Sequence, residues 1–294
     1  MKCFYHNDSD GKCSAFWVSL SAGLKNPNQS NDFIVMDYHK PFPFELIEPD
    51  EQVYIVDFSI QPYEMDRLLE ITKDVTWIDH HRTAIEKHKD YPHDLRGIRY
   101  DGVAACMLTY CYLHHMTDRG MGDIKPFDIS CIRYAPYFTR LIADWDVWKF
   151  EYGDETRHFQ VAFNSYDFSP GSDDWNMFLK RADSDGGLIA EGKIMMRYRD
   201  GWASKYCVSK GFEVEFEGYN CFALNLALCN SEYFKSVYKK GYDIFIPFSF
   251  DGTNWLYSLY STTIDVSEIA KKYGGGGHRA ASGFSSDRLL LVKK

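Results

Sequence analysis

Histidines and acidic residues follow short apolar runs at several places in this chain, and this arrangement limits the fold more than any other feature. The clearest case is Val75–Ile78, an apolar run that ends in Asp79-His80-His81. A short run of this kind is typical of a buried strand. In an open parallel α/β sheet, ligand-binding residues lie at the carboxyl ends of the strands. The pattern therefore predicts an α/β fold whose parallel sheet carries polar side chains to one edge.

The remainder of the first half repeats this alternation of strands and helices. Strands are predicted at 3–5, 33–36, 53–56 and 75–78, and helices from about residue 12, near 63–71, at 104–116 and at 129–142. This alternation is typical of a parallel sheet covered by helices.

The pattern of the second half predicts a separate and smaller unit. A polar stretch at 165–174 begins the connection, a helix is predicted at 188–206, and strand-like runs follow at 212–216, 221–226, 244–250 and 255–260 before a helix at 264–273. A chain of 294 residues is long enough for two domains. We expect a catalytic domain over residues 1–165, a connecting segment over 166–205, a smaller α/β domain over 206–294, and a cleft between the two lobes.

Composition limits the range of partners. The net charge of −9 argues against binding to long nucleic acid, because such binding depends on many contacts between basic residues and phosphates. A short phosphate-containing ligand is compatible with this charge, since bound divalent cations would reverse its sign locally. The N-terminal residues predict no signal peptide, and no stretch approaches the roughly 18 apolar residues that span a bilayer. A cytoplasmic protein without a membrane partner is expected.

The eight cysteines contain no C-x-x-C pair. This spacing gives little support to a zinc ribbon or a disulfide framework. Most of the cysteines lie among apolar neighbours, and we therefore expect free, buried thiols.

The segment His6-Asn7-Asp8-Ser9-Asp10-Gly11 is the first cluster of potential ligands. Alternate residues of an extended segment point the same way, so His6, Asp8 and Asp10 can present three ligands to one side. The alternative is a loop that caps a helix, since Asn, Asp and Ser are common turn residues. The acidic residues that follow the strands at 53–56 and 75–78 favour the ligand interpretation.

Carboxylates and imidazoles together suit Mn²⁺, Mg²⁺, Fe²⁺ or Zn²⁺, and oxygen-rich sets favour Mn²⁺ or Mg²⁺. The aspartates and histidines of these segments are numerous enough for two ions. A shared carboxylate can hold two ions about 3.5–4 Å apart, and Asp57, alone after its strand, is the best candidate. Such ions can activate a water and neutralise charge at phosphorus, so phosphate-ester hydrolysis is the leading hypothesis.

Four segments resemble, in type and order, the motifs of the DHH phosphoesterase superfamily: His6-x-Asp8-x-Asp10-Gly11, Val56-Asp57, Asp79-His80-His81 and Asp144-Trp145-Asp146. That superfamily includes RecJ-type exonucleases, nanoRNases, phosphodiesterases linked to cyclic dinucleotides, and family II pyrophosphatases. Any one of the motifs alone would be weak, whereas the joint match over residues 6–146 is specific.

The resemblance implies a ligand set for each ion. One ion would be held by His6, Asp8 and Asp57, and the other by Asp10, Asp57, His80 and Asp144. It implies that His81 contacts phosphate or supports the ligands, and Asp79 is expected to orient the imidazoles, as carboxylates often do behind ligating histidines. Asp57, Asp79 and His81 are thus the expected catalytic residues. For the fourth motif Asp144 is preferred over Asp146, because Asp144 matches the family's position, and Asp146 has the alternative of a helix cap or ion pair.

The glycine-rich segment Gly274–Arg279 is the second strong signal. Glycines allow backbone N–H groups to approach an anion closely, and the alternative is a flexible hinge. The alanines that follow are expected to begin a helix. The segment resembles the GGGH signature of the DHHA1 domain, the substrate-binding lobe of nucleic-acid-directed DHH enzymes. Family II pyrophosphatases carry a different second lobe. The resemblance implies a substrate-binding set of Gly275, Gly276, Gly277, His278 and Arg279.

Tyr260 is a further candidate for substrate binding. Ser258-Leu259-Tyr260-Ser261 resembles a DHHA1 strand in which many relatives have Arg at the tyrosine position. Tyr260 can therefore hydrogen-bond or stack on a base, or it can be a buried strand tyrosine.

Along nearly its whole length the chain is most similar to the nanoRNase B-like branch. We therefore expect a phosphodiesterase that degrades short oligonucleotides to mononucleotides with two divalent ions, Mn²⁺ in preference to Mg²⁺. The alternatives are an enzyme for small nucleotides (bisphosphorylated adenosine, a cyclic mononucleotide or a linear dinucleotide) and a metal- and nucleotide-binding module without catalysis. The sequence does not fix the oligomeric state, and a homodimer is one of the alternatives.

Overall fold

The computed structural model describes residues 1–23, 32–38, 40–116, 129–180, 184–291 and 293. The chain divides into two compact units, Met1–Met195 and Met196–Lys294. The division falls within one long helix, Ser184–Lys210. None of the described helices is both long enough and apolar enough to cross a membrane.

The first unit is built on a parallel four-stranded sheet. Its strands are β1 (Lys2–His6), β2 (Phe33–Met36), β3 (Val53–Val56) and β4 (Val75–Ile78), arranged in the order β2-β1-β3-β4. All three pairings are parallel. The predicted α/β class with a parallel sheet is thus confirmed.

Helices cover both faces of this sheet. They are α1 (Ser9–Ser21), α2 (Pro62–Ile71), α3 (Arg82–Lys87), α4 (Ala105–Cys111), α5 (Tyr137–Asp146), α6 (Asp154–Phe163) and α7 (Asn176–Lys180). Neighbouring strand residues enter different cores. Phe4 and Ile55 belong to one buried cluster, whereas Tyr5 and Val56 belong to the other. Burial on both faces explains why the strands read as continuous apolar runs.

Two predicted helices differ from the structure. The helix predicted at 104–116 is α4 followed by a π-helical turn, Tyr112–Met116. The helix predicted at 129–142 is a 3₁₀ turn, Ile129–Tyr134, and then α5, which starts directly after Pro136. Proline lacks the N–H that a continuous helix requires, and it favours an extended residue before it. The break therefore follows from Pro136.

One pair of cysteines departs from the prediction of free thiols. Cys111, the last residue of α4, forms a disulfide with Cys131, and their Cα atoms are 5.8 Å apart. The other six cysteines are free and buried, as expected. The sequence could not show the pair, because disulfide geometry depends on a Cα separation that the tertiary fold sets.

The second unit contains a six-stranded mixed sheet. After α8 (Ser184–Lys210) come β5 (Phe212–Phe216), β6 (Tyr219–Asn225), β7 (Ile244–Phe250), β8 (Trp255–Tyr260), α9 (Val266–Lys272), β9 (Gly276–His278) and β10 (Ala281–Ser286). The strand order is β5-β6-β7-β8-β10-β9. The expected helical start after the glycines is incorrect, because Ala281 begins β10, which pairs antiparallel with both β8 and β9. Sheet pairing overrides the helical preference of alanine here.

Candidate metal centre at the edge of the first sheet

Three neighbouring strands end at the same level of the first sheet. Tyr5 of β1 pairs with Val56 of β3, and Val56 pairs with Ile78 of β4. The next residue along each of these three strands therefore lies beside the corresponding residues of the other two. These residues are His6, Asp57 and Asp79. The parallel register thus brings together three of the predicted site residues from distant parts of the sequence.

Asp8 fixes the turn between β1 and α1. It is the N-cap of α1, and its Oδ1 accepts a hydrogen bond from the Gly11 amide at 2.9 Å. A Cβ on Gly11 would lie 2.1 Å from the carbonyl oxygen of His6. Glycine is therefore required where α1 passes this closely over the end of β1. The cap expected as the alternative for this segment is present, and it coexists with a ligand geometry.

Asp10 lies buried in the first turn of α1. Its Oδ2 accepts a hydrogen bond from the Ala105 amide at 2.7 Å, and its Oδ1 accepts one from the Cys106 amide at 2.8 Å. These amides belong to the first turn of α4, where a helix has donors without intrahelical partners and favours negative charge. Asp10 therefore anchors α4 beside the sheet edge.

Carboxylate and imidazole atoms converge at this edge. His6 Nδ1 is 2.7 Å from Asp8 Oδ2 and 4.0 Å from Asp57 Oδ2. His80 Nε2 is 3.3 Å from Asp57 Oδ1 and 3.7 Å from Asp10 Oδ2. Potential ligand atoms lie within 4.8 Å of one another in three sets: His6, Asp8 and Asp57; Asp57, His80 and His81; and Asp10, His80 and Asp146. Asp57 belongs to two of the sets.

Asp57 is the most unusual carboxylate of the cluster. Its side chain is 1% exposed, and neither oxygen has a hydrogen-bond partner. Burial raises its pKa well above the ordinary 3.8, and the nearby Asp10, Asp8 and Asp146 raise it further. Its backbone φ is +51°, a conformation that is uncommon for a residue with a side chain. Since a buried, unpaired carboxylate is costly, the site fits a positively charged ligand.

In the Asp8–His6 pair, unlike Asp57, hydrogen bonds outweigh burial in setting the pKa of each group. Although burial raises the pKa of Asp8, hydrogen bonds from His6 and from the Gly11 amide outweigh this and lower it to about 2. The hydrogen bond to Asp8 also raises the pKa of His6, even though burial acts in the opposite direction. Asp8 is therefore a carboxylate that stays ionised over the whole neutral range.

Asp79 orients His81, the last residue of its motif. Its Oδ1 accepts hydrogen bonds from the amides of His80 and His81, at 2.8 and 3.2 Å, and from His81 Nδ1 at 2.7 Å. Burial lowers the pKa of His81, but the hydrogen bond and the charge of Asp79 outweigh it, so the pKa is raised. Asp79 thus holds the ring of His81, and its orienting role in catalysis stays a prediction.

The fourth motif differs from the preferred assignment. Asp144 accepts hydrogen bonds from the Glu151 amide at 2.8 Å, from the Tyr152 amide at 3.3 Å and from the Thr156 hydroxyl. By contrast, Asp146 Oδ2 lies 3.4 Å from His80 Nε2 and has no hydrogen-bond partner. The structure therefore brings Asp146, and not Asp144, to the ligand sets, because donors near the start of α6 already occupy Asp144.

Sequence reasoning passed over one aromatic residue at the same edge. Tyr38 lies two residues after β2, and its ring centroid is 5.9 Å from that of His6. The available signal was positional, since β2 is the fourth strand whose carboxyl end reaches this edge.

In the second unit, the glycine segment forms a hairpin rather than a helix start. Gly276 and Gly277 of β9 pair with Gly283 and Ser282 of β10. A Cβ on Gly275 would lie 2.1 Å from the Gly283 carbonyl oxygen, and Gly277 has a φ of +140°, so both positions require glycine. A Cβ on Gly276 would meet nothing within 4 Å.

The remaining predicted residues of the second unit have contrasting environments. His278 and Arg279, at the turn of the hairpin, are exposed. Tyr260 of β8 is half-buried, and its hydroxyl donates to the Cys229 carbonyl at 3.3 Å. Its ring also packs against a buried cluster that contains Phe245. The packing interpretation of Tyr260 is therefore the better supported one.

No family model matches the chain. Protein R106 of Acanthamoeba polyphaga mimivirus, itself uncharacterised, is 26% identical over 298 residues, a match that covers 94% of this chain. This chain spans 65% of the length of that relative.

Two solved structures are similar over nearly the whole chain. A pGpG-specific phosphodiesterase, PggH, from Vibrio cholerae has a TM-score of 0.50 and 14% identity, with 98% of this chain and 94% of that chain covered. RecJ in complex with Mn²⁺ from Thermus thermophilus has a TM-score of 0.52 and 15% identity, with 97% of this chain and 49% of that chain covered. The chain therefore shares the fold of these two proteins over nearly its whole length.

Proposed function

We propose that this protein is a metal-dependent phosphodiesterase of the DHH superfamily that hydrolyses short oligonucleotides to mononucleotides. The observation that carries the proposal is the state of Asp57. It is a buried carboxylate with no hydrogen-bond partner, shared by two sets of ligand atoms. In its ionised form such a group is stable only beside positive charge, and a shared carboxylate is the feature that a two-metal phosphoesterase requires.

The ligand atoms divide between two ions. His6, Asp8 and Asp57 would hold one ion, and Asp10, Asp57, His80 and Asp146 would hold the other. The donors are carboxylate oxygens and imidazole nitrogens, which supports Mn²⁺ and is compatible with Mg²⁺. When bound, the two ions supply charge stabilisation at the phosphoryl oxygens and lower the pKa of a water.

The protein's own side chains complete the chemistry. Because His81 Nδ1 donates to Asp79, Nε2 is the nitrogen that remains to donate to a phosphoryl oxygen. The raised pKa of His81 favours the protonated ring that such donation requires. Asp79 thus acts by holding His81 in one orientation, and its own buried carboxylate does not touch the substrate.

The hairpin β9–β10 supports a substrate of phosphodiester type. The backbone at Gly276 is open on the side where a Cβ would stand, so a phosphate can approach the chain closely there. His278 and Arg279 supply exposed side-chain donors at the turn. These residues, with Gly275 and Gly277 shaping the hairpin, form the proposed substrate-binding surface of the second unit.

A linear dinucleotide is the second candidate substrate. The fold likeness to a pGpG-specific phosphodiesterase covers 98% of this chain and 94% of that one, so the two chains have nearly the same extent. This observation favours a dinucleotide over the other small nucleotides. Intact RNA in the following experiment would leave a cyclic mononucleotide, a bisphosphorylated adenosine and binding without catalysis as the alternatives.

The test is digestion of end-labelled RNAs, from dimers to longer oligomers, with Mn²⁺, Mg²⁺ or a chelator. Asp57→Asn tests the shared carboxylate, and Asp90→Asn makes the same change at an exposed position. We expect stepwise release of mononucleotides, fastest on the shortest RNAs, and a loss of more than about 10²-fold in Asp57→Asn alone. Cleavage of the dimer only would favour the dinucleotide enzyme. Intact RNA under every metal would overturn the oligonucleotide proposal.

A further inference from the structure

Tyr38 is a half-exposed aromatic residue held at the rim of the ligand sets. Its side chain is 50% exposed, although three other rings contact it. Phe58 stacks on it, with ring centroids 4.5 Å apart and an interplanar angle of 30°. The rings of His6 and His81 lie at 5.9 and 6.2 Å. The tyrosine ring is therefore fixed in place, yet a large part of it stays open to solvent.

Core packing does not account for this position. Phe58, which supports the ring from one side, is 3% exposed and belongs to a buried cluster. Tyr38 itself lies outside that core and carries an exposed apolar surface to an edge that is otherwise crowded with carboxylates. A ring that is supported on one face by a buried aromatic offers its other face to a flat ligand.

We propose that Tyr38 is the stacking surface for a nucleobase of the substrate. This inference rests on the proposed phosphodiesterase function and narrows its substrate class to phosphodiesters that carry a base next to the scissile bond. Every nucleobase presents a π-face, so stacking on tyrosine tolerates different bases. In a nucleotide a single sugar joins the base to the phosphate. A base on Tyr38 therefore places the neighbouring phosphate close to His6 and His81.

Another exposed aromatic residue of the first unit fits this role less well. Trp148 is 49% exposed, but the ring contacts of Trp148 in the described part of the chain are to Trp145 and Phe150. Neither of these residues belongs to a ligand set. Tyr38, in contrast, contacts the rings of two histidines of the site directly.

The experiment compares three variants on three substrates with Mn²⁺. The variants are Tyr38→Phe, which keeps the ring, Tyr38→Ala, which removes it, and Tyr63→Ala, which removes an exposed tyrosine of α2 that belongs to none of the ligand sets. The substrates are an RNA dinucleotide and two analogues, each of which lacks one of the two bases. KM and kcat are measured for each pair, together with the Mn²⁺-dependent rise in melting temperature as a check on the metal centre.

We expect Tyr38→Ala to raise KM for the dinucleotide by about 5- to 150-fold, the range that loss of one base–aromatic stack produces. The increase should nearly disappear for the analogue that lacks the stacked base. Tyr38→Phe and Tyr63→Ala should both stay within about twofold of wild type, and the Mn²⁺ effect on melting should be unchanged in all three variants.

Three results would overturn the inference while the proposed function stands. They are an unchanged KM in Tyr38→Ala, an equal increase on all three substrates, and a loss of the Mn²⁺ effect on melting, which would assign Tyr38 to support of the histidines. If wild type hydrolyses none of the dinucleotides, the proposed function fails, and the stacking inference fails with it.

Discussion

The acidic edge of the first sheet and the glycine hairpin of the second unit differ in how far their polar groups are already paired within the protein. At the edge, Asp57 and Asp146 have buried carboxylate oxygens without hydrogen-bond donors. In the hairpin, the backbone of Gly276 is exposed and already paired with Gly283. The ionised carboxylates of the edge therefore need a cation to neutralise them. The strands of the hairpin, in contrast, already pair with each other, and a ligand can bind there only in the open space beside the glycines. Removing a carboxylate from the edge should therefore weaken metal binding. In the hairpin, a side chain added to a glycine should either disturb the packing of the strands or block the open space beside them.

The largest expected effect separates the two aspartates of the fourth motif. Asp146→Asn should lower kcat by about 10²- to 10³-fold while leaving the metal-free fold as stable as wild type, because it removes a carboxylate that protein donors do not satisfy. Asp144→Asn should instead destabilise the fold by about 1–3 kcal/mol, since three donors near α6 lose an ionised acceptor. Activity assays and urea unfolding measure the two effects. If Asp144→Asn removes activity without loss of stability, the assignment is reversed.

The next effect compares two adjacent glycines. Gly275→Ala should destabilise the second unit by about 1–3 kcal/mol, because the new Cβ would meet the Gly283 carbonyl oxygen at 2.1 Å and β10 would have to move. Gly276→Ala meets nothing within 4 Å, so stability should change by less than about 0.5 kcal/mol. Unfolding curves of the two variants provide the measurement. Equal stabilities would show that the hairpin is not packed as described.

Gly276→Ala also tests whether the hairpin binds substrate. If a phosphate approaches the open backbone at Gly276, the added methyl group should raise KM for short RNA while stability is unchanged. An unchanged KM would remove this position from the substrate-binding surface.

A smaller effect concerns pH. Burial and the neighbouring aspartates raise the pKa of Asp57 above 3.8 in the folded, metal-free protein. A raised pKa contributes stability below the unfolded value, and this contribution is lost as the pH rises through the folded value. The metal-free protein should therefore lose stability from about pH 4 upwards, and Mn²⁺ should restore it most at the higher pH. We expect the Mn²⁺-dependent rise in melting temperature to be larger at pH 8 than at pH 5.5. A rise that is constant with pH would show that Asp57 does not titrate in this way.

The smallest predicted effect belongs to the hairpin turn. His278→Ala should raise KM by up to about 10-fold, since an exposed donor contributes roughly 1 kcal/mol, and stability should not change. Kinetics on the shortest RNAs test this directly. A loss as large as that of Asp146→Asn would mean that His278 takes part in the chemistry.

How far the sequence predicts the site depends on the element that carries each residue. His6, Asp57 and Asp79 were predictable because parallel strands in register end at one level, and this holds for any such sheet. Asp144 and Asp146 lie in α5, where residues two apart point to nearly opposite sides. The sequence therefore leaves open which of them faces His80, and the packing of α5 decides it.

In the second unit, the two strands of the glycine hairpin could not be predicted from the sequence. Its first four strands were predicted from apolar runs, whereas β9 and β10 were not. Ala281 and the preceding alanine favour a helix locally, but pairing of β10 with β8 and β9 determines the outcome. Tyr38 was missed for a related reason, because stacking between the rings of Tyr38 and Phe58 exists only once the strands are aligned.

Everything proposed for this protein depends on the edge of the first sheet holding two divalent ions through Asp57. Calorimetric titration of the metal-free protein with Mn²⁺ measures this property itself, with Asp57→Asn and the surface variant Asp90→Asn alongside. We expect two Mn²⁺ ions per chain for wild type and for Asp90→Asn, and loss of tight binding in Asp57→Asn. Wild-type protein that binds no Mn²⁺, or an Asp57→Asn variant that still binds two ions with the wild-type affinity, would disprove the shared-carboxylate centre.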